Sequence, residues 1–159
     1  MKNRKRGSSE QSVQTPKAFI EAVQVRFGQI TFDLAADEHN AQASSYFTEA
    51  EDSLVHDWPK EGVLWLNPPF QSIGPWAAKC NQWLKKEPSQ SALIAFLVPA
   101  SVDSNWWAQD VTGRARALAV SPRLQFVGHK DPYPKPMALC IYDARFPSQS
   151  ATIEPWRWK

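Results

Sequence analysis

The run Ala92–Val98, ALIAFLV, puts seven apolar residues in succession. It is far too short to cross a bilayer, and it lacks the polar–apolar alternation of a strand with one wet face. Such a run reads as a strand buried on both sides, the situation of a central strand in a sheet covered by helices. Val63–Leu66, VLWL, has the same character. ITFDLAA, Ile30 to Ala36, reads as a strand ending in an acidic turn, and ARALAV, Ala115 to Val120, as another strand. RLQFVG and MALCIYD are expected to form a closing antiparallel hairpin across the loop HKDPYPKP.

Helical signals fall between these runs. Thr15–Pro16 opens the first helix, with Thr15 expected as N-cap and Pro16 at the first helical position. Phe19, Ile20, Val23 and Phe27 follow at helical spacing, and Gly28 is the expected stop. DEHNAQASSYF is expected to be a short helix capped by Asp37. Gly74–Pro75 opens a helix whose apolar face carries Trp76, Cys80, Trp83 and Leu84, and SNWWAQDV predicts another short one. Strands alternating with helices before a closing hairpin define an α/β fold with a mainly parallel sheet. One domain over residues 13–159, preceded by a flexible basic tail at 1–12, accounts for the 159 residues.

Two cysteines, Cys80 and Cys140, provide no disulfide framework and no CxxC spacing. His39, His56 and His129 have no metal-ligand spacing, and no metal is expected. The opening residues are basic with no apolar stretch behind them, unlike a secretory signal; a soluble, cytoplasmic protein is expected. Charge is unevenly spread. Residues 33–61 hold eight acids and one base, whereas residues 113–159 hold eight bases and three acids. The first half suits a cationic small ligand and the second, with Lys2, Arg4, Lys5 and Arg6 of the tail, suits a polyanion.

In parallel α/β sheets ligands bind beyond the carboxyl ends of the strands, and NPPF, Asn67 to Phe70, follows VLWL at such an end. Two prolines stiffen the backbone after Asn67. The Asn67 side-chain oxygen and the Pro68 carbonyl can then accept both hydrogens of an exocyclic amino group. That raises electron density at a nitrogen otherwise delocalised into its ring, so that it can attack a methyl sulfonium in line. Phe70 offers a face for stacking a planar base, worth roughly 1–3 kcal/mol. A base inside a duplex must first be flipped out. The tetrapeptide alone also admits plain turn punctuation, the less favoured of the two readings.

The surrounding sequence decides between these. Thr15–Pro16 before a helix containing Phe19, FGQITFDLAAD, Asn40–Ala41, Tyr46, Thr48, Asp52–Leu54, Trp58, NPPF, Ile73, Trp76, LVPASVDSNWW and RLQF occur in one order. This ordered set resembles the phage-type DNA N6-adenine methyltransferase (Dam-like) family over most of residues 13–143. The resemblance implies a Rossmann-like sheet, S-adenosylmethionine as methyl donor, DNA as partner, and a bacterial host cell with phage or prophage origin. It implies Asn67, Pro68, Pro69 and Phe70 as the catalytic turn. It also implies Thr15, Pro16, Asp33, Ala35, Asn40, Asp52 and Asn67 as the cofactor-binding set, Asp33 towards the amino-acid end and Asp52 towards the adenine. Arg123 and Phe126 match the late RLQF element, either architectural or close to the base. Arg123 and Lys130 join the tail as expected DNA contacts, with recognition placed on loops such as 71–75 and 128–136. The turn after the first strand departs from related folds in having no glycine. Alternatives are an NPPF-type enzyme acting on cytosine N4, an RNA base or a protein glutamine, and a non-catalytic nucleic-acid-binding module. Monomer and homodimer both fit the chain length.

Overall fold

The computed structural model describes residues 14–86 and 91–159. Six strands form one sheet: β1 (Ile30–Asp33), β2 (Val63–Leu66), β3 (Leu93–Pro99), β4 (Arg116–Ser121), β5 (Met137–Asp143) and β6 (Ile153–Arg157), in the order β1-β2-β3-β5-β4-β6. The pairs β1–β2, β2–β3 and β4–β6 are parallel, while β5 runs antiparallel to both β3 and β4. Helices α1 (Lys17–Phe27) and α2 (Gly74–Lys86) and a π-helical turn, Trp107–Val111, pack on the sheet. No helix among the described residues is long and apolar enough to cross a membrane.

β3 behaves as its composition demands, with all seven residues buried. Because successive side chains alternate, Ile94, Phe96 and Val98 face Cys80, Trp83 and Leu84 of α2 together with Trp107. Leu93, Ala95 and Leu97 join Phe19, Ile20 and Val23 of α1 in a second core on the other face. Burying each large side chain of this kind stabilises the fold by roughly 1.5–3 kcal/mol. α1 ends at Gly28, whose φ of 111° is a glycine conformation and whose N–H donates to the Gln24 carbonyl. Gly62, just before β2, has no room for a side chain: a Cβ there would lie 2.2 Å from Thr31 Oγ1.

Two local expectations change, and one strand is added. DEHNAQASSYF forms a turn and a loop instead of a helix. Asp37 does accept the N–H groups of His39 and Asn40, but the chain then returns to pair in parallel with the end of β1, Tyr46 beside Asp33. Asp33 N–H donates to Ser45 O, Phe47 N–H to Asp33 O and Ala36 N–H to Phe47 O. β1 is the edge of the sheet, so its open backbone groups are met by 45–47, which covers the edge.

RLQFVG is also not a strand; the antiparallel neighbours of MALCIYD are β3 and β4. Leu124 and Phe126 are buried while Arg123 and Gln125 are exposed, so the period-two pattern is real. The backbone bonds are spent locally, however: Tyr133 N–H donates to Leu124 O and Val127 N–H to Gln14 O. Finally, β6 completes the sheet beyond β4. Its pattern is alternately exposed and half-buried, and Pro155 lies within it, both marks of an edge strand.

A candidate active site at the carboxyl ends of the parallel strands

β1 and β2 run parallel, so their carboxyl ends lie side by side. Asp33 is in register with Trp65, and Leu34 N–H donates to Trp65 O. Two residues beyond Trp65 comes Asn67. The two strongest sequence candidates therefore stand on neighbouring strand ends.

Asp33 is only 2% exposed. Its Oδ1 accepts the Ala35 N–H at 3.1 Å and its Oδ2 the Gln42 N–H at 3.0 Å. The carboxylate thus holds both ends of the loop that follows β1. Burial raises its pKa from 3.8 to about 7, against the lowering effect of those two hydrogen bonds. Inside the loop, Asp37 N–H donates to Asn40 Oδ1 at 2.8 Å while Asp37 Oδ1 accepts the Asn40 N–H at 3.0 Å. No residue between 34 and 42 has a positive φ, so this turn closes without glycine. The departure in DLAADEHN has a geometric explanation: Ala35 and Ala36 suffice.

This loop, the 47–53 segment and the NPPF turn enclose a cavity of about 420 Å³. Ala35, Ala36, Asp52, Asn67 and Pro69 are on its wall, and so are Phe47, Glu49 and Trp76. The wall carries three carboxylates, from Asp37, Glu49 and Asp52, and no basic residue. It is shaped for a cation with an apolar portion. Trp76, expected in the core, is half-buried here because helix α2 turns it towards the cavity. Asp52 is the one non-glycine residue with positive φ among those described, 52°, and its carboxylate accepts from Leu54 N–H. A left-handed aspartate beside a cavity is the kind of local strain found at binding sites. The Asp52 turn is braced from below: Lys79 Nζ donates to Leu54 O at 2.9 Å and to His56 O, and lies 5.0 Å from the Trp58 ring centre.

The NPPF turn faces two ways. Asn67 and Pro69 face the acidic cavity, whereas Phe70 meets Tyr133 edge-on at 5.6 Å and Phe126 at 6.4 Å. Phe126 and Tyr133 line a second cavity of about 370 Å³, with His129 and Lys130 on its rim. Phe126 is 2% exposed, so the RLQF element is architectural, and it lies against the NPPF turn through Phe70. Arg123 donates to Pro134 O at 3.2 Å, and Gln125 Nε2 donates to the carbonyls of His129 and Lys130; together they shape this loop.

Thr15, Pro16, Asp33 and Asn40 are not on the wall of the acidic cavity; Asp33 instead holds the loop that lines it. Thr15 is buried and does not cap α1; Pro16 takes the N-cap position, with no side-chain cap bond. Thr15 Oγ1 instead accepts from Asn67 Nδ2 at 3.2 Å. The expected tail contacts Lys2, Arg4, Lys5 and Arg6 lie outside the described residues. Glu49 and Ser53 carry no signal in the sequence as site residues, and only the fold brings them to the cavity; Tyr133 falls in the 128–136 loop already expected to take part in recognition. Ser104 works as a cap, its Oγ accepting the Trp107 N–H.

A sheet with helices on both faces and an Asn-Pro-Pro-Phe turn beside an acid-lined cavity defines an α/β protein with a candidate site at its strand ends. The chain belongs to the DNA N-6-adenine-methyltransferase (Dam) family, whose model matches residues 3–135. It is similar to the DNA N-6-adenine-methyltransferase of Escherichia phage T1, 25% identical over 95 residues that make up 60% of this chain and 38% of that protein. It is also 31% identical over 67 residues to the putative methyltransferase YfdM of Escherichia coli K12, covering 39% of this chain and 69% of that protein. The matched stretch thus spans well under half of the phage T1 enzyme.

Proposed function

We propose that the chain transfers a methyl group from S-adenosylmethionine to the exocyclic N6 of adenine in DNA. The observation that carries this is the state of Asn67: its Oδ1 is shielded and has no hydrogen-bond partner, beside a cavity walled by carboxylates. A buried acceptor left unpaired costs roughly 1–3 kcal/mol, so this oxygen asks for a donor that the chain itself does not provide. An exocyclic amino group is such a donor.

The acidic cavity fits the methyl donor, a cation with an adenine ring. Asp33 fixes the loop around its amino-acid end, Ala35 and Ala36 permit close approach, and Asp52 is available to the adenine amino group. When bound, the donor supplies an electrophilic methyl on a sulfonium, with a neutral thioether as leaving group. Asn67 Oδ1 and the Pro68 carbonyl accept the two amino hydrogens, which concentrates the nitrogen lone pair on the line of attack. Transfer would form the N–C bond as the donor's C–S bond breaks, and the surplus proton would leave to water. These acceptors act most strongly as positive charge develops on nitrogen. Much of the remaining rate enhancement is positioning.

In this reading β1, β2 and β3 are the cofactor half of a Rossmann-like methyltransferase sheet. Phe70, Phe126 and Tyr133 form the aromatic side that receives the flipped base, and Arg123, Lys130 and the basic tail lie along the DNA. Incubation with labelled methyl donor and unmethylated DNA, then digestion and mass spectrometry, tests it. N6-methyladenine is expected from the wild-type protein and none from Asn67→Ala. A methylated cytosine, or methylation of RNA or protein only, would replace adenine as the acceptor.

A further inference from the structure

We propose that Thr15 is a positioning residue that locks the orientation of the Asn67 amide. This inference rests on the reading of Asn67 as the acceptor for the target amino group. An asparagine side chain has nearly the same shape when its oxygen and nitrogen change places, so packing alone holds neither orientation. The chemistry tolerates only one of them: Oδ1 must face the amino group, since Nδ2 would set donor against donor. The chain meets this need at a distance of 52 residues in sequence, with Thr15 Oγ1 accepting from Nδ2 at 3.2 Å. The oxygen is thereby left as the unpaired atom of the amide.

Two further observations point the same way. Thr15 is 3% exposed, so water does not compete for its hydroxyl. Thr15 also lies one residue outside the N-cap of α1, which is Pro16, so its hydroxyl is not engaged in capping that helix and is available to the Asn67 amide. Thr15 is absent from the cavity wall, which separates this role from direct contact with the methyl donor.

The test compares Thr15→Val, which keeps the shape and removes the hydroxyl, with Thr15→Ser, which keeps the hydroxyl. In Thr15→Val, kcat for DNA methylation is expected to fall roughly ten- to hundred-fold, with donor Kd changed by less than about twofold. Thr15→Ser should recover most of the lost kcat. The side-chain NH2 signals of Asn67, identified by their loss in Asn67→Ala, should show slowed hydrogen exchange in the wild type and in Thr15→Ser, and fast exchange in Thr15→Val.

An unchanged kcat in Thr15→Val would overturn the proposal. So would a loss confined to donor affinity, which would place Thr15 in the donor's site. If Thr15→Val does not fold, Thr15→Ala is measured in the same way. The wild-type spectrum also decides by itself, because an Asn67 NH2 group exchanging as fast as a solvent-exposed one excludes the lock. A wild-type protein that methylates no base would sink the reading of Asn67 while leaving this amide signature intact, so the two failures are distinguishable.

Discussion

Asp33 accepts the backbone N–H of Gln42 through Oδ2, nine residues along the chain and at 3.0 Å, while its other oxygen holds Ala35. A buried carboxylate therefore closes the loop around the acidic cavity from within. Desolvation by burial raises its pKa to about 7, so the empty protein at slightly acid pH carries a proton there. A cationic ligand in the neighbouring cavity favours the ionised form and expels that proton. Affinity for S-adenosylmethionine is expected to rise with pH up to about 7 and then level off. Below that pH it should fall by about tenfold per unit as one proton is released. Calorimetry at pH 6 in two buffers of different ionisation enthalpy reads the proton directly; equal heats would refute the linkage.

The same shift has a stability consequence of opposite sense. The folded pKa of Asp33 lies above its unfolded value of 3.8. Between those values the native state binds more protons than the unfolded one, so this group makes stability decline as pH rises from about 4 to 7. The cost is complete above that window. Asp33→Asn should remove this component of the slope, measured as urea midpoints across the range in the absence of ligand. An unaltered slope would show that the carboxylate titrates normally.

Phe70 packs T-shaped with the rings of Tyr133 and Phe126, is only half-buried, and is proposed to stack a planar base. Phe70→Ala should weaken binding of unmethylated DNA by roughly 1–3 kcal/mol, with the methyl donor bound as before. Phe70→Tyr and Phe70→Trp should keep most of the affinity. Fluorescence anisotropy with a labelled duplex gives the comparison, and equal affinities for wild type and Phe70→Ala would remove stacking from the mechanism.

Much of this arrangement was legible because it is encoded locally. ALIAFLV and VLWL have no sensible place other than central strands, and NPPF marks a strand end whatever follows it. The unreadable parts depend on partners distant in sequence. SSYF lacks a strand signature and becomes strand-like only because the open edge of β1 offers it Asp33 N–H and C=O. RLQF has a strand's alternation, yet its backbone bonds go to Tyr133 and Gln14. Thr15 reads as a helix cap until Asn67 is placed beside it. Trp76 matched the apolar face of α2, and only the position of the helix against the 47–53 segment makes it a cavity wall.

Trp156 and Trp158 illustrate a choice between packing and base stacking. Both rings pack against Phe19 of α1, at 5.6 Å and 5.2 Å, and Trp158 Nε1 donates to Pro122 O. Their function is to fasten β6 over the second core. Trp158→Ala should therefore lower folding stability by about 2–3 kcal/mol, less than for a fully buried aromatic. DNA affinity of the folded variant should not change. A loss of DNA affinity at unchanged stability would reassign the ring to the substrate.

Lys79 supports the site without belonging to its wall. Its ammonium joins the carbonyls of Leu54 and His56 and lies against Trp58, and partial burial lowers its pKa. Lys79→Met preserves the length of the stem but removes the donor for both carbonyls. The expected loss of folding stability is about 0.5–1.5 kcal/mol, because both carbonyls are at least partly open to water that can replace the lost donor. The Asp52 turn begins at the residue that the methyl donor's adenine is proposed to meet, so loosening it should also weaken donor binding. This effect should be larger than the effect on DNA affinity, because the second cavity is built from a different loop. Urea denaturation with parallel donor and DNA titrations separates the three quantities. If stability falls while donor affinity stays at the wild-type value, the Asp52 turn is not part of the donor's site, and the adenine end must be sought along Phe47 and Trp76.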